Sequence, residues 1–313
     1  MKKILLDFLV CPACIIEKQQ LQVSIGESEG DDIISGYLYC DRCDRKYPIN
    51  NGVAVLLPDA LTEINLSQKR YEEEKVISSY LWSHYSDLFH DVNANEAYSS
   101  WSSHFSETGS AALDTGCAVG RFTFELSNKS DFTIGVDRSY NFIRMARKLS
   151  LQKYLDFPLV MEGVLTEKRS IALPDRWDSR KVEFIVADVL ALPFPTGTFD
   201  MISSLNILDK VSHPLTHLLE INRVADKKNA RLLLSDPFSW SLDSAKTEDW
   251  LGGKKEGEYQ GNGMDNVSLI LTGKDNVMHP SWNLLKKGVE PWKIRNHQNH
   301  YEMIRSQFIV ASR

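Results

Sequence analysis

Residues 113–137 read Leu113-Asp-Thr-Gly-Cys-Ala-Val-Gly-Arg121, then a helix-compatible stretch, then Ile134-Gly-Val-Asp137. An apolar strand ends at Asp114. Gly116 and Gly120 permit a tight loop that a ligand can approach closely. A helix opens near Arg121, and a second strand ends on Asp137. This order is that of a nucleoside-binding βαβ unit, with the second acid placed to accept hydrogen bonds from both ribose hydroxyls. The spacing is Asp-x-Gly-x-x-x-Gly, with Ala118 inside the loop. It lacks the Gly-x-Gly-x-x-Gly fingerprint of dinucleotide diphosphate sites, which disfavours a nicotinamide dinucleotide.

The same spacing resembles motif I of class I S-adenosylmethionine-dependent methyltransferases, with alanine at the family's usual middle glycine. The resemblance implies that Asp114 holds the methionine ammonium of the cofactor, directly or through water. Gly116, Cys117 and Gly120 form the loop beside it, and Asp137 with Arg138 takes the ribose side. Asp188 in Val186-Ala-Asp-Val189 matches the family's adenine-binding acid, with Val189 packing on the ring. Phe199-Asp-Met-Ile-Ser-Ser-Leu-Asn206 resembles motif IV, which makes Asn206 a cofactor or substrate contact. Here it lacks Asn-Pro-Pro-Tyr, the carbonyl clamp of enzymes that methylate planar amides and adenine amino groups.

Working outward, strand and helix patterns alternate as in a doubly wound sheet. Strands are expected at Ala111–Asp114, Thr133–Asp137, Glu183–Ala187, Met201–Ser204 and Arg231–Leu234. Helices are expected at Asn141–Leu149 and Pro214–Val224, and an antiparallel edge strand at Gln307–Ser312. The carboxyl ends of the strands bring Asp114, Asp137, Asp188, Asn206 and Asp236 to one rim. Before the first strand, Val76, Ile77, Tyr80, Leu81 and His84 fall at helical spacing. The first two and Leu81 read as packing, whereas Tyr80, His84 and Tyr85 are candidates for a site lid. The chain thus divides into 1–58, a linker at 59–67, and 68–313 with insertions at about 151–181 and 237–295. The first insertion suits a hairpin and the second a functional cover.

The N-terminal 58 residues carry Cys11-Pro-Ala-Cys14 and Cys40-Asp-Arg-Cys43. Two such knuckles complete a closed tetrahedral Zn²⁺ shell, structural rather than catalytic, and metal binding stabilises a domain whose own core is too small. The intervening Leu21–Ile25 and Gly36–Tyr39 alternate like two strands, giving a zinc ribbon. Together with Leu5-Leu6, Cys11-Pro12 and Lys46-Tyr-Pro-Ile-Asn-Asn-Gly-Val-Ala-Val-Leu-Leu-Pro58, these residues resemble the small zinc-ribbon activator of tRNA, rRNA and protein methyltransferases. That activator is a separate subunit; here its likeness is fused to the second domain.

Composition narrows the function. The chain has 313 residues, 42% of them apolar, and a net charge of −6. That acidity gives no basic footprint for nucleic acid. No apolar run reaches the ~18 residues of a membrane helix. Met1–Val10 begins like a signal peptide, but Asp7 interrupts it and Cys11 follows at once. Four of five cysteines lie in Cys-x-x-Cys pairs, which fits metal binding in a reducing cytoplasm better than disulfides. Cys117 has no neighbouring base in the sequence and reads as loop filler, not a nucleophile.

Several strings narrow the class further. They are Tyr71-x-x-x-Lys75 with Tyr80 and His84-Tyr85, Arg121-x-x-x-Glu125-Leu126, Asp188-x-x-x-Leu192-Pro193, Asn206-Ile-Leu-Asp209, Ser235-Asp-Pro-Phe-Ser-Trp240, Trp250-Leu-Gly-Gly253 and Ile294-Arg295. Together they resemble the methyltransferase domain of ovothiol synthases, which methylates an imidazole nitrogen of 4-mercaptohistidine. The resemblance implies a small-molecule substrate, with Tyr85, Asn206, Trp292, Arg295 and His297 as candidates for holding a zwitterion. This chain departs from those proteins in having a zinc ribbon in place of a sulfoxide-synthase portion, and Asn296 after Arg295. Two alternatives stand beside this reading: an RNA methyltransferase, because zinc ribbons also precede rRNA guanine methyltransferases, and a non-catalytic cofactor-binding regulatory module. Oligomeric state is not legible.

Overall fold

The computed structural model describes residues 1–14, 20–58, 69–105 and 107–313; the expected linker, 59–67, lies outside them. Four short strands open the chain: β1 (Gln22–Glu29), β2 (Asp32–Tyr39), β3 (Lys46–Asn50) and β4 (Val53–Leu56). Helices α1 (Glu74–Tyr85) and α2 (Ala97–Ser102) follow. The alternating part comprises β5 (Gly109–Thr115), α3 (Arg121–Leu126), β6 (Ser130–Asp137), α4 (Tyr140–Gln152), β7 (Tyr154–Glu162), β8 (Leu165–Ala172) and β9 (Val182–Ala187). It continues with β10 (Met201–Leu205), α5 (Pro214–Val224), β11 (Arg231–Asp236), α6 (Gly263–Leu271), β12 (Asn283–His297) and β13 (His300–Ser312).

Eleven strands form one sheet in the order β1-β2-β3-β4-β9-β6-β5-β10-β11-β13-β12. Its centre, β9-β6-β5-β10-β11, is parallel and buried on both faces, as its apolar runs require. The strand order reverses between β5 and β10, the switch point at which ligands bind in such sheets. β13 runs antiparallel to β11, giving the edge arrangement of a Rossmann-like methyltransferase fold. β7 and β8 form a separate hairpin within the stretch 151–181.

β12 was not legible as a strand. Residues 283–295 fall in the stretch read as a cover, yet they pair with β13. Gly288 and Pro291 lower their strand propensity, and β12 tolerates a proline because it is the outermost strand of the sheet. The cover therefore shrinks to the segment between β11 and β12.

The cysteine-rich segment is continuous with the main sheet: β4 pairs in parallel with β9 through Val55↔Val186 and Leu56↔Ala187. A buried charge cluster ties the two together. Arg147 on α4 pairs with Glu183 at 2.8 Å and with Asp32 on β2. Glu183 is 1% exposed and also accepts from the Lys2 backbone. Removing one partner of such a group leaves a buried charge uncompensated, at a cost of about 3–5 kcal/mol. Arg147→Ala is expected to lower the urea midpoint accordingly; a loss below ~1 kcal/mol, the range of exposed pairs, would show the cluster to be hydrated and weak.

Candidate active site

One cleft opens at the carboxyl ends of the parallel strands. Its wall includes Asp114, Gly116, Cys117 and Ala118 from the first loop, and Asp137, Arg138 and Ser139 after β6. Asp188 and Val189 after β9 and Asn206 after β10 complete the rim. Gly116 has φ +72°, and a Cβ there would lie 2.5 Å from Ile207 Cδ1. Gly120 has φ +86°, with Phe184 only 2.6 Å from an added Cβ. Both positions therefore demand glycine. Gly120 packs beneath the loop rather than lining the cleft.

Asp114 is 2% exposed and accepts hydrogen bonds from Ser203 Oγ at 2.7 Å and Thr123 Oγ1 at 2.8 Å. Asp137 accepts the backbone N–H groups of Ala118 and Ser139, both at 2.9 Å. Burial pushes each carboxyl up to about 6, against the opposing pull of those hydrogen bonds. Ser139, not Asp137, caps α4 by accepting from Phe142 N–H at 3.1 Å. Arg138 reaches across to Asp188 at 3.3 Å. Asn206 adopts φ +57°, and its Oδ1 is buried with no partner among the described residues.

A further part of the cleft wall is aromatic. Tyr71, Tyr80, His84, Tyr98, Phe142 and Trp292 line it. Tyr80 stands 4.8 Å from Phe142 and 6.3 Å from Trp292, ring centre to ring centre. His84 lies 4.4 Å from Tyr98. Tyr80 and His84 thus reach the cleft from α1.

Three residues expected at the site are turned elsewhere. Tyr85 points away from the cleft, and its hydroxyl donates to the Val119 carbonyl at 2.7 Å. The neighbour on α1, His84, takes the cleft-facing position, one residue and about 100° round the helix. Arg295 is 4% exposed, with Nη2 against Met161 Sδ at 3.3 Å, and does not reach the lining. His297 ends β12, beside His300 at the hairpin turn. Trp292 alone of this C-terminal set lines the cleft. Sequence reasoning missed Tyr98 and Phe142, because an aromatic on a helix reads equally well as core.

Away from the cleft, Cys11, Cys14, Cys40 and Cys43 converge, with all four sulfurs within 4.8 Å of one another. Cys11 and Cys43 sulfurs are 3.7 Å apart, too far for a disulfide. Four convergent thiols with no open position are positioned to bind a metal ion, and the donor set suits structural Zn²⁺.

Residues 113–233 match the family model described as a methyltransferase domain, and residues 2–52 match that of Trm112p-like proteins. A search of curated proteins finds no matching relative. Among solved structures, the chain is similar to the YcgJ protein of Bacillus subtilis at 14% identity, over 70% of this chain and 98% of that one, with TM-score 0.44. It is similar to an S-adenosylmethionine-dependent methyltransferase from Methanosarcina mazei at 18% identity, over 67% and 95%, with TM-score 0.42. It is also similar to magnesium protoporphyrin IX methyltransferase from Synechocystis PCC 6803 with bound S-adenosylmethionine, at 16% identity over 80% and 85%, with TM-score 0.40.

Within a Rossmann-like fold, residues 113–233 thus carry the likeness to a methyltransferase domain. That stretch follows residues 2–52, which match the Trm112p-like model and whose four cysteines are positioned to bind a metal ion.

Proposed function

We propose that this chain transfers the methyl group of S-adenosylmethionine to a small molecule, at an imidazole nitrogen of a histidine- or mercaptohistidine-like acceptor. The supporting observation is that one cleft joins a rim of acids to an aromatic wall. In this reading Asp114, Gly116 and Cys117 receive the methionine end of the cofactor, with Gly120 shaping the loop. Asp137 takes the ribose hydroxyls, and Asp188 with Val189 the adenine, while Arg138 covers the edge. Asn206 and Trp292 face the acceptor.

The sulfonium is already activated, so this chain's task is alignment and exclusion of water. Holding the nucleophile in line with the methyl group supplies several kcal/mol of the barrier reduction. A neutral imidazole, with an ordinary pKa of about 6.5, has a lone pair ready at pH 7 and needs no strong base before attack. The acidic and aromatic cleft suits a neutral acceptor better than a phosphate backbone. Incubation with methyl-labelled S-adenosylmethionine and either a metabolite extract or total RNA tests the reading. Label is expected in the small-molecule fraction; label confined to RNA would overturn the substrate class.

Cofactor affinity should also depend on pH. Ribose hydroxyls donate to ionised Asp137, whose carboxyl sits at about 6 in the free protein. Binding therefore expels a proton below that pH, and affinity is expected to fall about fivefold from pH 6 to pH 5, approaching tenfold per unit below that. Calorimetry in buffers of differing ionisation heat measures both the slope and the proton released. A flat profile from pH 8 to 5 would remove Asp137 from the ribose.

A further inference from the structure

Buried polar atoms without partners are costly, each worth about 1–3 kcal/mol. Among the described residues, three of them belong to side chains lining the cleft: His84 Nδ1, Trp292 Nε1 and Asn206 Oδ1. Asn206 and Trp292 are already assigned to the acceptor. The cofactor and acceptor contacts proposed above leave His84 unused, yet it lines the cleft as part of the aromatic wall. It lies between Tyr80 at 6.0 Å and Tyr98 at 4.4 Å, and is 4% exposed. The backbone carbonyl of His84 is fixed by Arg121 at 2.8 Å, and that guanidinium is itself paired with Asp87 and Glu125. The ring is thus anchored at its root but lacks a partner at its edge. χ2 of an imidazole is a soft torsion, and a turn about it is the movement that would bring that edge to the cleft.

We propose that His84 binds the methyl acceptor, accepting a hydrogen bond from the ring N–H of a flat heterocycle laid against the aromatic wall. This rests on the small-molecule reading above. The consequence is a choice of nitrogen. In a neutral imidazole one nitrogen carries the proton and the other the lone pair, and the hydrogen bond to one fixes which is which. With the N–H held by His84, the lone pair on the opposite nitrogen is the nucleophile. That pair forms the new N–C bond, the C–S bond breaks with its electrons passing to sulfur, and S-adenosylhomocysteine leaves. The methylated ring keeps its N–H as an imidazolium and loses that proton to water on release.

His84 suits an acceptor role rather than that of a base. Burial, reinforced by the nearby Arg121 cation, holds its imidazole well below the ordinary histidine value. It stays uncharged at neutral pH and offers a lone pair without competing for the proton.

Imidazole itself is the probe, titrated at pH 8 into the full-length protein saturated with S-adenosylhomocysteine. Wild type is expected to bind it saturably. His84→Phe, which keeps a flat ring and removes the acceptor, should weaken binding at least tenfold. His84→Asn, whose amide oxygen can replace Nδ1, should stay within about threefold of wild type. In wild type alone, the His84 ring-nitrogen resonances should move with the same dissociation constant, a readout that does not depend on either variant folding. No imidazole binding, equal binding by His84→Phe, or unmoved His84 resonances would each overturn the proposal. Label transfer to the metabolite extract, measured in parallel, separates the outcomes: if it persists while imidazole binding fails, the small-molecule reading survives and the role of His84 does not.

Discussion

Asp137→Ala is expected to abolish detectable S-adenosylmethionine binding while leaving the metal content of the protein unchanged. The carboxylate spends its two oxygens on the N–H groups of Ala118 and Ser139, leaving further lone pairs for the ribose. Two hydrogen bonds from hydroxyls to a carboxylate contribute about 1.5–3 kcal/mol each. Their joint loss predicts roughly a 10²- to 10⁴-fold weaker dissociation constant. Asp137→Asn keeps the shape and one acceptor, so an intermediate loss is expected. Because Asp137 also braces the Ala118 loop, the thermal midpoint of each variant must be recorded beside the calorimetric titration. Near-normal affinity in Asp137→Ala would place the ribose elsewhere.

The second large effect is expected at the other end of the sheet. Removing the metal, by chelation or by Cys40→Ser, should unfold the cysteine-rich segment and release β4 from β9. So small a segment has little core of its own, and structural zinc contributes folding free energy directly. Loss of a metal site belongs to the short list of changes that exceed about 4 kcal/mol. The effect should reach the cleft, because Leu57, the residue after β4, lines it beside Ala187 and Asp188. Differential scanning calorimetry with metal analysis is expected to show a lowered, broadened transition and weaker cofactor binding. An unchanged midpoint in protein shown to be metal-free would mean that the segment stands on side-chain packing and the Arg147 cluster.

The sequence made the parallel strands legible because fully buried strands concentrate apolar residues between turn signals, and β5, β6, β9, β10 and β11 all do so. The acids on the rim were legible because each ends such a strand. The aromatic wall was not. Tyr98 and Phe142 sit on helices, where an aromatic facing a cleft and one facing the core have the same spacing. His84 and Tyr85, both lid candidates, differ by about 100° on one helical turn, and no spacing argument resolves which of them faces the cleft without the packing partner. Arg295 shows the opposite failure. A lone arginine invites a carboxylate, but β12 is a strand, where successive side chains alternate faces. Arg295 lies an odd number of residues from Trp292, so both cannot face the cleft. Nor could sequence show that β4 extends the main sheet, since parallel pairing between β4 and β9 joins residues ~130 apart and leaves no local signal.

The proposed cofactor and acceptor sites share a single pocket, and a crystal structure of the protein soaked with S-adenosylmethionine tests that most directly. The expected result is the ribose hydroxyls on Asp137, the adenine between Asp188 and Val189, and the methyl group directed at the wall of His84 and Trp292. A cleft that stays empty at saturating cofactor, or a cofactor seated away from Asp114 and Asp137, would contradict it.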